Sequence, residues 1–170
     1  MEIQLAQISG AIAGGLIGGL SGFVANNFQR YLQTRRLRRN VACALLGEIE
    51  ALRCKIRDDY LGRLEIEIAA LQTERRFASN HFRGEKDYAI VFRSLGQHIG
   101  LLSAPLPRDL VAWYIGLAVC QERAREFHDS TMRLDPDQID HAIDLLQLQH
   151  SGFSELVNKA APLLEQLARL

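Results

Sequence analysis

Three arginine–histidine pairs are the residues in this chain whose types and spacing are suited to acid–base chemistry. In each pair the histidine follows the arginine by five positions. The pairs are Arg76 with His81, Arg93 with His98, and Arg123 with His128. A histidine can take the proton of a ribose 2′-hydroxyl, and an arginine beside it can hold the phosphate through charge-assisted hydrogen bonds. The spacing is therefore compatible with ribonuclease chemistry.

The same residues are also compatible with a plain surface role. Arginine is so frequent in this chain that such spacings arise by chance, and we interpret the pairs first as exposed charges. If one pair forms a site, we expect Arg76 and His81, because they lie where a predicted helix enters the polar stretch Ser79 to Asp87. The chain is therefore predicted not to be an enzyme, with ribonuclease activity as the alternative.

Other chemistry has less support in the residue pattern. The histidines are scattered, one per predicted segment, and no HExxH motif brings two together: His81, His98, His128, His141 and His150. Protein metal sites need clustered ligands. Asp137, Asp140, His141 and Asp144 share a predicted helix. The first two aspartates are better placed to interact with the positive end of that helix. No phosphate-binding GxxxxGK[ST] loop is present, so we predict neither a metal nor a cofactor.

The element that must position everything else is an uncharged N-terminal run. No charged residue occurs from Ile3 to Gln29, and the most apolar part is Ile8 to Ala25. About 20 apolar residues cross the hydrocarbon core of a bilayer as a helix. A cleaved signal peptide would need a basic start, whereas only Glu2 precedes the run. Residues 1–29 are therefore predicted to be a transmembrane helix.

Small residues in this run recur at helical spacing. Gly10, Gly14, Gly18 and Gly22 fall every fourth residue, with the large apolar side chains on the opposite side. At about 100° per residue, one stripe collects Gln4, Gln7, Ala11, Gly14, Gly18, Ser21, Gly22 and Ala25. Membrane helices associate where small residues let their backbones approach closely. The stripe predicts a homo-oligomer, although glycine is also generally frequent in membrane helices, and a dry bundle would use the same residues as a pore.

A group of arginines follows the predicted span directly. We call it the arginine cuff: Arg30, Arg35, Arg36, Arg38 and Arg39. Basic residues beside a span stay on the cytoplasmic side, and each is worth about 1 kcal/mol against an anionic leaflet. The predicted location is the bacterial inner membrane, single-pass, with the N-terminus outside and residues 30–170 in the cytoplasm. The odd number of cysteines without a CxxC spacing agrees with a reducing compartment.

The remainder of the chain shows apolar residues at helical spacing and no strand-like alternation, so the fold class is predicted to be all-α. We expect the membrane helix to continue over residues 30–59 and to enter a cytosolic bundle of about five helices formed by residues 30–170. The predicted boundaries are a bend at Gly62, a second helix to about Arg76, a third from Tyr88 to His98, a fourth from Pro107 to His128, and a last segment that starts at Asp135-Pro136, kinks at Ser151-Gly152 and is bent or restarted at Pro162.

This layout resembles certain small bacterial defence proteins, the CRISPR-accessory membrane proteins that accompany RNA-guided RNA-targeting effectors. The shared features are the glycine-rich span, the arginine cuff and a small helical domain with degenerate Arg-x4-His pairs. Ribonuclease and toxin domains of the HEPN type carry such pairs, and active members usually have Asn or Asp directly after the arginine, which all three pairs here lack. The resemblance implies an oligomeric membrane pore with an inactive HEPN-like bundle.

Three functions are open at this point. The first is a membrane-perturbing effector that assembles through the glycine stripe. The second is an anchored adaptor or sensor whose bundle binds a small ligand or a protein, such as an RNA-guided effector complex. The third is a membrane-tethered ribonuclease. The expected partners are thus the lipid bilayer, other copies of the chain and a cytosolic protein, and no DNA binding is expected.

Overall fold

A computed structural model describes residues 2–76, 89–131 and 138–170, with side chains described for 25–76, 89–127 and 138–170. All regular structure in these ranges is helical, which confirms the predicted all-α class. The five α-helices are α1 (Glu2–Lys55), α2 (Gly62–Glu74), α3 (Ile90–Ser94), α4 (Leu106–Thr131) and α5 (Ile139–Ala168). The chain divides into two compact units, Met1–Asn40 and Val41–Leu170, and the second is a helical bundle.

The backbone at Gly62, where we expected a bend, keeps helical geometry. Gly62 has helical dihedrals, with φ −61° and ψ −37°, and a π-helical segment at Ile56–Leu61 joins α1 to α2. Buried residues recur four apart here, at Leu52, Ile56, Tyr60 and Leu64. Four residues are slightly more than one turn of a regular α-helix, so side chains spaced four apart would drift around the helix. The wider π-helical turn reduces that drift and keeps these side chains on one buried face.

The core of the second unit is formed by the apolar stripes of its helices. α5 packs against α4, α2 and the π-helical segment. The largest side chains that are completely enclosed are Phe153, Leu45, Ile49, Leu71, Leu110, Leu146 and Val41. Each such aliphatic or aromatic side chain contributes about 1.5–3 kcal/mol by leaving water. These residues come from α1, α2, α4 and α5, so one core holds the second unit together.

The third helix is shorter than predicted. α3 ends at Ser94, and a 3₁₀-helical segment follows at Gly96–Leu101. Gly96 and Gly100 have low helix propensity, and the hydroxyl of Ser94 donates to the carbonyl of Val91 at 2.8 Å. The predicted first residue, Tyr88, lies outside the described residues. α4 begins at Leu106, one residue before the predicted Pro107.

The last segment is one helix and not two. α5 continues through Ser151, Gly152 and Pro162 to Ala168, so the expected restart at Pro162 is wrong. Proline removes one backbone hydrogen bond from a helix, but Ala160, Leu163 and Leu167 are buried around it and hold the last turns in place. The predicted helix start at Asp135-Pro136 and the predicted loop over 79–87 lie outside the described residues.

Candidate functional site

The arginine cuff and the residues just before it form the most exposed part of α1 whose side chains are described. All residues from 25 to 31 are exposed. They include Phe28, which is 61% exposed, and Tyr31, which is 62% exposed. Only Leu32 and Arg38 are half-buried between residues 25 and 39. Two aromatic rings are therefore presented to the surroundings without cover from their own unit.

The arginines of the cuff lie on the same helix as these rings. Arg30, Arg35, Arg36 and Arg39 are exposed. At about 100° per residue, Arg35 and Arg39 fall on the face that carries Phe28 and Tyr31. The order along α1 is apolar run, aromatic rings, then cations, over roughly 16 Å between residues 28 and 39 at about 1.5 Å per residue. Aromatic side chains beside cations are typical of the boundary between hydrocarbon and headgroups.

The predicted small-residue stripe lies almost entirely outside the described side chains. This holds for Gln4, Gln7, Ala11, Gly14, Gly18, Ser21 and Gly22. Ala25, its last member, is described and exposed. Ala25 is thus a small residue open to a neighbouring helix.

The span itself was predicted over residues 1–29. Within the described part of the chain, no helix is both long enough and apolar enough to cross a membrane. The side chains of residues 1–24, which make up most of the predicted span, lie outside that part.

The arginine–histidine pairs are described only in part. Arg76 is exposed beyond the end of α2, where its guanidinium pairs with the carboxylate of Glu74, and His81 lies outside the described residues. Arg93 and Arg123 are exposed on α3 and α4. His98 is half-buried in the 3₁₀-helical segment, with its Nε2 3.3 Å from the Gln97 amide nitrogen. The side chain of His128 is not among those described.

One carboxylate forms a polar centre that the sequence analysis missed. Glu48 accepts hydrogen bonds from the backbone N–H groups of Val91 at 2.7 Å and Phe92 at 3.0 Å. It also accepts from the Tyr114 hydroxyl at 2.5 Å. Burial, with the hydrogen bond to Glu48, raises the pKa of Tyr114. Glu48 therefore joins α1 to α3 and α4 and serves the structure of the bundle.

The aromatic rings around this carboxylate pack closely. Phe92 stacks on Tyr114 with ring centroids 3.8 Å apart. Trp113 meets Tyr114 edge-on at 5.0 Å, and its indole N–H donates to the carbonyl of Leu156 at 3.0 Å. The Phe92–Tyr114 stack joins α3 to α4 beside the Tyr114–Glu48 hydrogen bond.

Two of the candidate metal ligands, Asp140 and His150, contact side chains from another part of the bundle. Among the residues that the structure describes, no three His, Cys, Asp or Glu side chains come together as metal ligands would. Asp140 pairs with Arg75 at 2.5 Å, which lowers the pKa of the Asp140 carboxyl. His150 lies 3.2 Å from Glu65. The His150–Glu65 contact joins α5 to α2, and the Asp140–Arg75 pair joins α5 to the residue that follows α2.

The three cysteines are all free and differ in exposure: Cys43 is exposed, Cys54 is half-buried and Cys120 is buried. Burial raises the pKa of the Cys120 thiol. A thiol with a raised pKa is a weak nucleophile at neutral pH.

No known protein family, curated protein or solved structure matches the chain. Its function has to be inferred from its own residues.

Proposed function

We propose that this chain is a single-pass protein of the bacterial inner membrane that assembles through its N-terminal helix and perturbs the membrane as an effector of RNA-guided antiphage defence. The observation that carries the proposal is the exposed segment with Phe28, Tyr31 and the arginine cuff, directly after the uncharged run from Ile3 to Gln29.

The aromatic rings supply the first argument. Phe28 and Tyr31 are more than half exposed on a helix that offers them no cover. Transferring a large apolar side chain out of water is worth about 1.5–3 kcal/mol. A bilayer interface accepts both rings, and the tyrosine hydroxyl stays among the headgroups. The uncharged run before them would then lie in the hydrocarbon.

The arginine cuff supplies the orientation. Arg30, Arg35, Arg36 and Arg39 are exposed, so their guanidinium groups are accessible to anionic headgroups. At about 1 kcal/mol for each arginine, four of them contribute roughly 4 kcal/mol, or about a thousandfold preference for an anionic surface. This preference favours an orientation with residues 30–170 on the cytoplasmic side, where the bundle would be accessible to a protein partner such as an RNA-guided effector complex.

Assembly is the step that would give the anchor a function. Gly14 and Gly18 lie in the middle of the uncharged run on the small-residue stripe, where helix backbones can approach closely. The resemblance to CRISPR-accessory membrane proteins supports an assembly that leaks ions when it is triggered. The bundle would act as the cytosolic partner-binding part and not as a nuclease.

A topology measurement tests the membrane part of the proposal. A reporter fused after Leu170 should be active only in the cytoplasm, and the full chain should stay in the membrane pellet after alkaline carbonate extraction. Changing three cuff arginines to glutamine should weaken this orientation and binding to anionic vesicles. Changing three exposed arginines of the bundle should not. The cuff set is Arg35, Arg36 and Arg39, and the matched control set is Arg108, Arg125 and Arg169.

Two results would contradict the proposal. One is a full chain that alkaline carbonate releases into the supernatant. The other is a C-terminal reporter that is active only outside the cytoplasm. Equal loss of vesicle binding in the two arginine sets would show that total charge, and not the position of the cuff, determines binding.

A further inference from the structure

The second unit contains an open cleft between α4 and α5 that the membrane proposal does not use. Its volume is about 520 Å³, within the range of small-molecule sites. The floor is apolar and is formed by Trp113, Gly116, Cys120, Leu156 and Leu163. Four of these residues are buried in the core, so the floor is a fixed surface.

Two glycines keep the helices close. A Cβ atom on Gly116 would lie 3.0 Å from Cδ2 of Leu156, and one on Gly152 would lie 3.2 Å from Sγ of Cys120. Both glycines line the cleft. Side chains at these positions would press against the facing helix, so the two glycines let α4 and α5 pack closely at the floor of the cleft.

The charges on the rim of the cleft are mostly neutralised by their neighbours. Lys159 pairs with Glu155 at 2.6 Å, and Asp109 pairs with Arg108 at 3.1 Å. Arg123 differs: among the described residues it makes no ion pair and no hydrogen bond. The rim therefore offers one cation that is open to an anionic ligand.

Arg123 also lies at the end of the cleft. It lines a second hollow of about 400 Å³, whose wall includes Phe127 and Leu148, and Leu148 is 55% exposed. From Arg123 to Asp109, at the far end of the first hollow, the cleft follows α4 for roughly 21 Å at about 1.5 Å per residue. The cleft thus has an apolar floor, paired charges on its rim and a cation at one end, with Glu126 lining the second hollow beside that cation.

We infer that the cleft between α4 and α5 binds a single-chain anionic amphiphile, a long-chain fatty acid. Its carboxylate meets the guanidinium of Arg123 as a charge-assisted hydrogen-bonded pair, and its alkyl chain lies over Trp113 and Gly116 toward Leu163. Every residue of the site belongs to Val41–Leu170, so the site does not include the predicted membrane span. It gives the bundle a ligand in addition to any protein partner.

Trp113 allows occupancy to be measured directly. It is the single tryptophan of the chain, and it lines the cleft. The full chain is placed in nanodiscs of zwitterionic phosphatidylcholine and titrated with dibromostearic acid, whose bromines quench tryptophan fluorescence on contact. We expect saturable quenching. The uncharged methyl ester should bind about tenfold more weakly, because it loses the charged hydrogen bond.

Variants locate the two ends of the ligand. Arg123→Gln should weaken binding about tenfold, whereas Arg125→Gln, an exposed arginine on the same helix outside the cleft, should not change it. Val119→Phe fills the cleft and should abolish quenching. Val111→Phe is the matched control, because Val119 is 41% exposed and Val111 is 40% exposed on the same helix, and only Val119 lines the cleft.

These measurements decide between occupants. Dibrominated phosphatidylcholine in the nanodisc should leave Trp113 unquenched. Quenching by it that free fatty acid fails to displace would show a bilayer lipid in the cleft and overturn the inference. Absence of saturable quenching by the fatty acid would also overturn the inference and would favour a partner helix as the occupant of the cleft. Equal binding of acid and ester, or unchanged binding in Arg123→Gln, would also overturn it.

Discussion

Removing the Glu48 carboxylate is the perturbation whose effect can be worked out most fully. Glu48 accepts three hydrogen bonds, from the N–H groups of Val91 and Phe92 and from the hydroxyl of Tyr114. A hydrogen bond to a charged group contributes about 1.5–3 kcal/mol net. The three bonds share one half-buried carboxylate, so their contributions do not add fully. We expect Glu48→Ala to lower the free energy of unfolding by about 3 kcal/mol.

A double-mutant cycle separates the tyrosine from the backbone donors. Tyr114→Phe removes one of the three bonds to the carboxylate and should cost about 1.5–2 kcal/mol. Once Glu48 is alanine, the same change should cost less, because it then removes a buried hydroxyl that has lost its acceptor. The coupling between the two positions should lie at about 1–2 kcal/mol. Glu50→Ala is the control, since the contacts of Glu50 are exposed: an ion pair with Arg53 and a hydrogen bond from the Cys54 thiol at 3.8 Å. Exposed pairs are worth at most about 1 kcal/mol.

Two assays read different parts of this prediction. Urea unfolding of the full chain gives the free energies of the cycle. Hydrogen exchange gives the local effect, because the amides of Val91 and Phe92 lose their acceptor in Glu48→Ala and should exchange faster than in Glu50→Ala. If both amides keep the parent's protection in Glu48→Ala, the carboxylate does not hold α3, and our account of the bundle is wrong.

Three further outcomes can be checked on the same protein. Gly47→Ala should raise the free energy of unfolding by about 0.5–1 kcal/mol, because a Cβ atom at this helical position has no other atom within contact distance. Gly116→Ala should raise it by less, because its Cβ would lie 3.0 Å from Leu156. Urea unfolding of the two variants measures the difference. Burial raises the pKa of Tyr114, so above about pH 10 the native state keeps a proton that the unfolded chain loses. The stability of the fold should therefore fall as the pH rises above that value. Tyr114→Phe should reduce this fall, as measured by thermal unfolding at alkaline pH. The hydrogen bond from Arg75 lowers the pKa of Asp140. The stability that this ion pair contributes is therefore present above about pH 4 and lost as the pH falls below it. Asp140→Asn should make the melting temperature less dependent on pH in the acid range.

The helices could be predicted because their signal is local. Val41, Leu45 and Ile49 recur at helical spacing in the sequence, and all three are buried on one face of α1. The same reasoning failed at Pro162 and Gly62. Neither residue interrupts helical geometry, because packing of the flanking residues outweighs the low helix propensity of glycine and proline. Sequence patterns show that propensity but not the packing.

The candidate sites divide in the same way. The arginine cuff can be read from the sequence because charge and position along one helix define it. Arg35 and Arg39 are exposed, and the role of the cuff at a membrane surface stays a prediction. The partners of Glu48 lie 43, 44 and 66 residues away, and no spacing in the sequence connects them. The cleft is lined by residues of α4 and α5 that lie far apart in the sequence, so only the packing of these two helices reveals it.

The central claim is that copies of the chain assemble through the small-residue face of the N-terminal helix. The most direct measurement is the oligomeric state of the full chain in nanodiscs, by native mass spectrometry or cross-linking, for Gly14→Leu and Gly18→Leu beside Leu16→Ala and Leu20→Ala. A leucine on the small face prevents close backbone approach, so the glycine variants should lose the oligomer and any leakage reported by a potential-sensitive dye. The two alanine variants, at the same depth on the opposite face, should keep both. Glycine variants that assemble as the parent does would contradict the claim and leave the chain a singly anchored adaptor.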